Sequence, residues 1–101
     1  MLCLPSAFTA PTGRAHWEVL LRARAVENLS YVLAPAQGGL HENGRETYGY
    51  SMIVDPWGQV QSRVSAAGPG VALAEIDPTV QKELRGRFPA LNHRRFEIAG
   101  R

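Results

Sequence analysis

Cysteine and lysine each occur once in these 101 residues, as Cys3 and Lys82. A single cysteine excludes an internal disulfide framework and suits a reducing compartment. No window approaches the roughly 20 apolar residues needed to span a bilayer. The N-terminus lacks the basic segment and long apolar stretch of a secretory signal, so a cytoplasmic setting and no membrane partner are expected. Charge of one sign is scarce too: ten arginines and one lysine stand against nine acids, a net charge of +2. Arg94-Arg95-Phe96 is the nearest approach to a basic stripe. It is too short for a nucleic-acid surface, which needs a dense cationic face interleaved with aromatics. His41-Glu42 is an isolated pair without metal-ligand spacing, so no metal and no cofactor are expected. No repeat or low-complexity segment is present.

What is present is globular. Hydrophobic residues make up 45% of the chain, against disorder, and the length allows one domain. Met1 to Leu4 reads as the end of a buried strand, with Cys3 a small buried hydrophobe. Pro5 to Gly13 reads as a loop. From Ala15 to about Asn28 the spacing predicts a helix: Trp17, Leu20, Leu21, Arg24 and Asn28 share a face. Glu18 and Arg22 form an i,i+4 pair, and Arg24 can meet either Glu27 or a partner across an interface. Ser30 to Gln37 suits a strand buried on both faces. Gly38 to Glu46 is a loop centred on Asn43-Gly44, and Tyr48 to Val54 a strand. Asp55-Pro56-Trp57-Gly58 fits a type I turn leading into a strand over Gln59 to Ser65, the two strands forming a hairpin. A turn over Ala66 to Gly70 and a strand over Val71 to Ile76 follow. Asp77-Pro78 caps and starts a helix that runs to Arg87. Phe88-Pro89 stops it, and an extended tail is expected from Ala90. The sum is α/β, roughly five strands and two helices.

Four blocks carry more. Leu4-Pro5-Ser6-Ala7-Phe8-Thr9 precedes the run from Gly13 through Arg14-Ala15-His16-Trp17-Glu18 to Asn28. Tyr31-Val32-Leu33-Ala34-Pro35-Ala36-Gln37 and Gly49-Tyr50-Ser51-Met52-Ile53-Val54-Asp55-Pro56-Trp57-Gly58 follow. In this order and spacing they resemble the C-terminal part of the carbon–nitrogen hydrolase (nitrilase) superfamily, nearest the branch of deaminated-glutathione amidases and ω-amidases. The resemblance implies the C-terminal half of an α-β-β-α sandwich. Residues 1–96 would form a partial domain whose N-terminal half is missing, and residues 97–101 a tail.

It also implies amide hydrolysis by a Glu-Lys-Cys set lying upstream of Pro5-Ser6-Ala7-Phe8, in which a thiolate attacks the amide carbon beside a base and a charge-stabilising donor. Neither Cys3 nor Lys82 matches that set. No catalytic residue is therefore assigned, and this chain is expected to be inactive alone, as a fragment of the amidase. The alternative is a short pseudoenzyme or partner-binding module that associates with a full-length homologue. A small amide would be the substrate of the full-length parent only.

By resemblance, Phe8, Thr9, His16 and Trp17 flank a loop near the active-site mouth, and Gln37 ends a strand where α/β folds place ligand groups. The plainer reading of Trp17 is core, of His16 a helix-start residue, and of Gln37 a satisfied strand-end amide. The helix of residues 15–28 would join two subunits of a homo-oligomer, with Leu20, Leu21, Arg24 and Asn28 as interface candidates. Tyr50 and Pro35 depart from the branch, which commonly carries histidine and alanine there.

Overall fold

Four short segments, two of them continuous apolar runs, build the central sheet of the computed structural model, which describes residues 1–65 and 68–100. Strands β1 (Leu2–Cys3), β2 (Val32–Ala34), β5 (Met52–Val54) and β6 (Val60–Arg63) lie in the order β1-β2-β5-β6. β1 runs parallel to β2, and the other neighbours pair antiparallel. The register sets Val32 opposite Val54 and Ala34 opposite Met52. Side chains alternate across a strand, so these four share one face. Against it packs a helical rod made of α1 (Ala10–Thr12), a π-helical turn (Gly13–Trp17) and α2 (Glu18–Asn28). Trp17, Leu21 and Ala25, one helical stripe at i, i+4 and i+8, complete the core with the sheet residues.

The rod starts five residues before the expected Ala15. Pro11 falls in its first turn, where a missing N–H costs nothing, and the Thr9 and Thr12 hydroxyls bond to each other at 2.6 Å. Leu29 ends it in the left-handed conformation at φ 45. Glu18 reaches Arg63 at 3.4 Å, while Arg22 Nε donates to the Gly58 carbonyl at 2.7 Å. The expected Glu18–Arg22 pair is therefore replaced by two ties to the hairpin. Arg24 does pair with Glu27.

Gly38 to Glu46 is more than a loop: β3 (Gly38–Leu40) and β4 (Glu46–Tyr48) make a second, two-stranded sheet around the turn at Gly44. The strand expected over Tyr48 to Val54 breaks between β4 and β5, because Gly49 and Tyr50 both adopt positive φ, 73 and 58. The Asp55–Gly58 turn forms as read. Asp55 Oδ1 accepts from the Trp57 and Gln59 amides, both at 2.9 Å, and the Gly58 N–H donates to the Asp55 carbonyl at 3.0 Å.

Three further expectations need correction. Val71 to Ile76 is extended but enters no ladder among the described residues; the Leu73 N–H goes to the Ser62 hydroxyl at 3.1 Å instead of a backbone carbonyl. Cys3 is exposed, since its register partner Leu33 lies on the sheet face turned away from α2. The tail from Ala90 begins with a 3-10 turn, Ala90–His93. Helix α3 (Pro78–Arg87) forms as expected, its Thr79 N–H donating to the Asp77 carboxylate at 2.9 Å. The turn expected over residues 66–70 falls partly outside the described residues, as does Arg101 of the tail. The α/β class holds, with about six strands.

Candidate functional site

Parallel β1 and β2 end side by side, and their continuations stay paired. Ser6 bridges Ala36, the Ser6 N–H donates to the Pro35 carbonyl at 3.0 Å, and the Gln37 N–H donates to the Ser6 carbonyl at 3.0 Å. Pro35 is tolerated because only its carbonyl is used here. On its other side the Ser51 hydroxyl accepts from the Ala36 N–H at 2.8 Å and donates to the Ala36 carbonyl at 3.3 Å, substituting for strand pairing where the chain turns at Gly49-Tyr50.

A cleft of about 420 Å³ opens beyond these strand ends, walled by Gln37, His41, Tyr50 and Ser51 together with Val64 and small residues. A shallower groove along Pro5, Ser6 and Ala7 shares Ala36, Gln37 and Ser51 with it. The crevice outside the carboxyl ends of strands is where open α/β sheets bind ligands. His41 Nε2 and the Thr47 hydroxyl are 2.7 Å apart. Behind the cleft lies an aromatic cluster: Phe8 against Trp17 with centroids 5.1 Å apart, and Tyr48 against Tyr50 at 4.5 Å. Trp17 Nε1 donates to the Tyr50 carbonyl at 2.9 Å, and Tyr48 N–H donates to the Phe8 carbonyl at 2.9 Å.

Of the residues singled out from the sequence, Gln37 lines the cleft with an exposed side chain. Phe8 and Trp17 meet behind it, and Trp17 is 2% exposed, a core residue. Thr9 sits exposed at the start of α1, and its backbone bridges Thr47. His16 is exposed on the π-helical turn and takes no hydrogen bond among the described residues. Along the rod, Leu21 is in the core at 2% exposure whereas Leu20 is 41% exposed. Arg24 is half-exposed with Glu27, and Asn28 Nδ2 donates to the Arg24 carbonyl at 2.9 Å.

The sequence reading missed Tyr48 and Ser51, and weighed His41 only as a metal ligand. Ser51 stood in a quoted block, but its role depends on Ala36, fifteen residues away, which no local pattern shows. A larger cavity of about 720 Å³ lies at the opposite end of the sheet, between the Asp55–Gly58 turn and α3, with Trp57 edge-on to Phe88 at 6.0 Å. Its Asp55 carboxylate is occupied by the turn and by Gln61 Nε2 at 2.7 Å. The strand-end cleft is the candidate because it lies where open α/β sheets bind ligands.

The cleft can bind and orient. Its serine hydroxyl, Ser51, is held by backbone and by no base among the described residues, an arrangement without the activation a nucleophile needs. Among the described residues no three of His, Cys, Asp and Glu converge as metal ligands, and no helix is long and apolar enough to cross a membrane.

The sequence model of the family described as carbon-nitrogen hydrolase matches residues 3–85. The chain is 53% identical over 100 residues to deaminated glutathione amidase of Homo sapiens, covering 99% of this chain and 30% of that protein. It is 51% identical over 96 residues to deaminated glutathione amidase of Synechocystis, covering 95% of this chain and 35% of that protein. The crystal structure of the C. elegans NitFhit protein superposes with a TM-score of 0.85 at 50% identity, over 92% of this chain and 23% of that one. The chain thus spans about a third of the length of the curated relatives it matches. With four sequence blocks, the sheet-and-rod architecture and a family match over residues 3–85 in agreement, the chain belongs to the carbon–nitrogen hydrolase family.

Proposed function

We propose that this chain forms the strand-end wall of the substrate cleft of an amidase acting on small amides of the deaminated-glutathione or ω-amide type. The Glu-Lys-Cys chemistry of that enzyme is carried by residues outside these 101, so the chain alone is inactive. The observation that carries the reading is identity of 51–53% over nearly the whole chain to proteins named deaminated glutathione amidase. The cleft's geometry agrees, because it offers hydrogen-bonding groups but no activated nucleophile, as expected of a binding wall. We further propose that the parent enzyme is cytoplasmic, needs no cofactor, engages neither nucleic acid nor membrane, and self-associates through the helix of residues 15–28. Exposed Leu20 and the half-exposed Arg24 support that surface.

The test is ammonia release from small ω-amides by two proteins. One is the chain alone. The other is the chain fused behind the N-terminal two-thirds of the Synechocystis relative. The chain should be inactive and the fusion active. Turnover by the chain alone overturns the reading, and so does a folded fusion without turnover. A second reading, a module that binds a full-length homologue, is favoured by the exposed Val71 and Leu73, at 80% and 81%. It gains if the chain co-purifies with an intact homologue and alters its rate.

A further inference from the structure

We propose that Tyr50 is a specificity-determining residue of the strand-end cleft, selecting an uncharged carboxamide over a carboxylate of the same shape; this rests on the amidase reading above. The first ground is conformational. Tyr50 has φ 58, directly after Gly49 at φ 73. A bulky residue in that region is strained and persists only where its surroundings enforce it. Three contacts do so here: Trp17 Nε1 on its carbonyl at 2.9 Å, the Tyr48 ring at 4.5 Å, and the Arg63 guanidinium 6.0 Å from its centroid. Tyr50 is one of the residues that line the cleft.

The second ground is chemical. The polar residues lining the cleft are Gln37, His41, Tyr50 and Ser51; the other described lining residues are alanine, valine, proline and glycine. Ser51 is satisfied by Ala36, and His41 shares a hydrogen bond with Thr47. The Tyr50 phenol and the Gln37 amide take no hydrogen bond from the chain among the described residues, so both have bonding capacity to offer a ligand. Arg63, whose guanidinium lies 6.0 Å from the Tyr50 ring centroid, faces Glu18 at 3.4 Å and is not among the described residues lining the cleft. A carboxamide presents a donor and an acceptor to a phenol and an amide. A carboxylate can only accept, so it leaves the Tyr50 phenol oxygen and the Gln37 carbonyl oxygen without a donor, and groups built to hydrogen-bond one ligand discriminate against a mismatched one. An amide substrate is thereby retained and its acid product released.

The experiment titrates the ¹⁵N-labelled chain with propionamide and with propionate, following the indole N–H signal of Trp17, which W57F assigns by removing the other indole. Propionamide should shift it saturably and bind at least about ten-fold tighter than propionate, the discrimination that one hydrogen bond supplies. Y50F, which keeps the stacked ring, and Y50L should each bring that ratio close to one, with the Trp57 signal unmoved as the folding control. Equal binding of the two ligands, no binding of either, or a ratio that survives both variants overturns the proposal. No readout involves turnover. A fusion that fails to hydrolyse amides while the ratio holds removes the reaction and keeps the selectivity, and the reverse outcome separates them equally.

Discussion

The indole Nε1 of Trp17 donates to the carbonyl of Tyr50 at 2.9 Å, joining the π-helical turn to a left-handed residue 33 positions away. One side chain thus serves two purposes: its ring fills the core between helix and sheet, and its N–H secures the backbone of the cleft. W17F keeps a ring but leaves the part-buried Tyr50 carbonyl without its donor. The loss of the bond and of part of the indole volume should lower stability by about 2–4 kcal/mol. Urea unfolding followed by circular dichroism measures this, and faster amide exchange at Tyr50 and Ser51 in W17F should accompany it.

Gly13 gives a second test, because there helix propensity and packing oppose each other. Alanine favours a helix over glycine by about 1 kcal/mol. A Cβ at Gly13, however, would stand 2.1 Å from the Tyr48 Cβ and 2.3 Å from its Cγ. Backbone or ring must move, and overpacking of this kind costs about 1–3 kcal/mol or more. Packing wins, so G13A should melt several degrees below the parent chain. A rise in melting temperature would show that the rod does not press on Tyr48.

The same contrast explains what the sequence made legible. Asp55-Pro56-Trp57-Gly58 and Asp77-Pro78 were readable because the residue that dictates the geometry lies within the turn or cap itself. The family blocks were readable because they are contiguous. The start of the rod was missed because Pro5, Pro11 and Gly13 suggested a loop, and only the tertiary position of Tyr48 shows why glycine is needed there. Val71 to Ile76 is apolar enough to read as a strand, yet a strand exists only where an edge accepts it, and the Leu73 N–H finds the Ser62 hydroxyl instead. The cleft was half legible. Gln37 was named from its strand end, but Tyr50 entered only as a departure, and Ser51 depends on a partner distant in sequence.

Leu29 lets two magnitudes be weighed. It ends α2 at φ 45, and its N–H donates to the Ala25 and Val26 carbonyls. Glycine would relieve a left-handed penalty of about 1–2 kcal/mol. Leu29 is also among the largest fully buried side chains, and removing such a group costs about 2–5 kcal/mol. L29G should therefore be destabilising by about 1–3 kcal/mol, against the usual benefit of glycine at a helix end. A stabilised L29G in urea titration would mean that burial at this position contributes little.

Arg85 couples α3 to the end of α2. Its Nε donates to the Leu29 carbonyl at 3.1 Å, and its Nη2 to the Asn28 carbonyl at 3.1 Å and the Ser30 hydroxyl at 2.9 Å. A cation there also complements the negative end of the α2 dipole. Helix α3 has no fully buried residue of its own, so these bonds are a principal tie between it and the rest of the chain. R85A should cost about 2–3 kcal/mol and release α3 locally before the sheet unfolds. Lysine is a poor substitute, because an ammonium cannot reproduce the planar fork that reaches three acceptors. Limited trypsin digestion should accordingly cut R85A after Lys82 or Arg87 well before the parent chain, with R85K between them. Equal cleavage rates in all three would show that α3 is held by its apolar contacts with the Trp57 side of the large cavity, and that Arg85 contributes little.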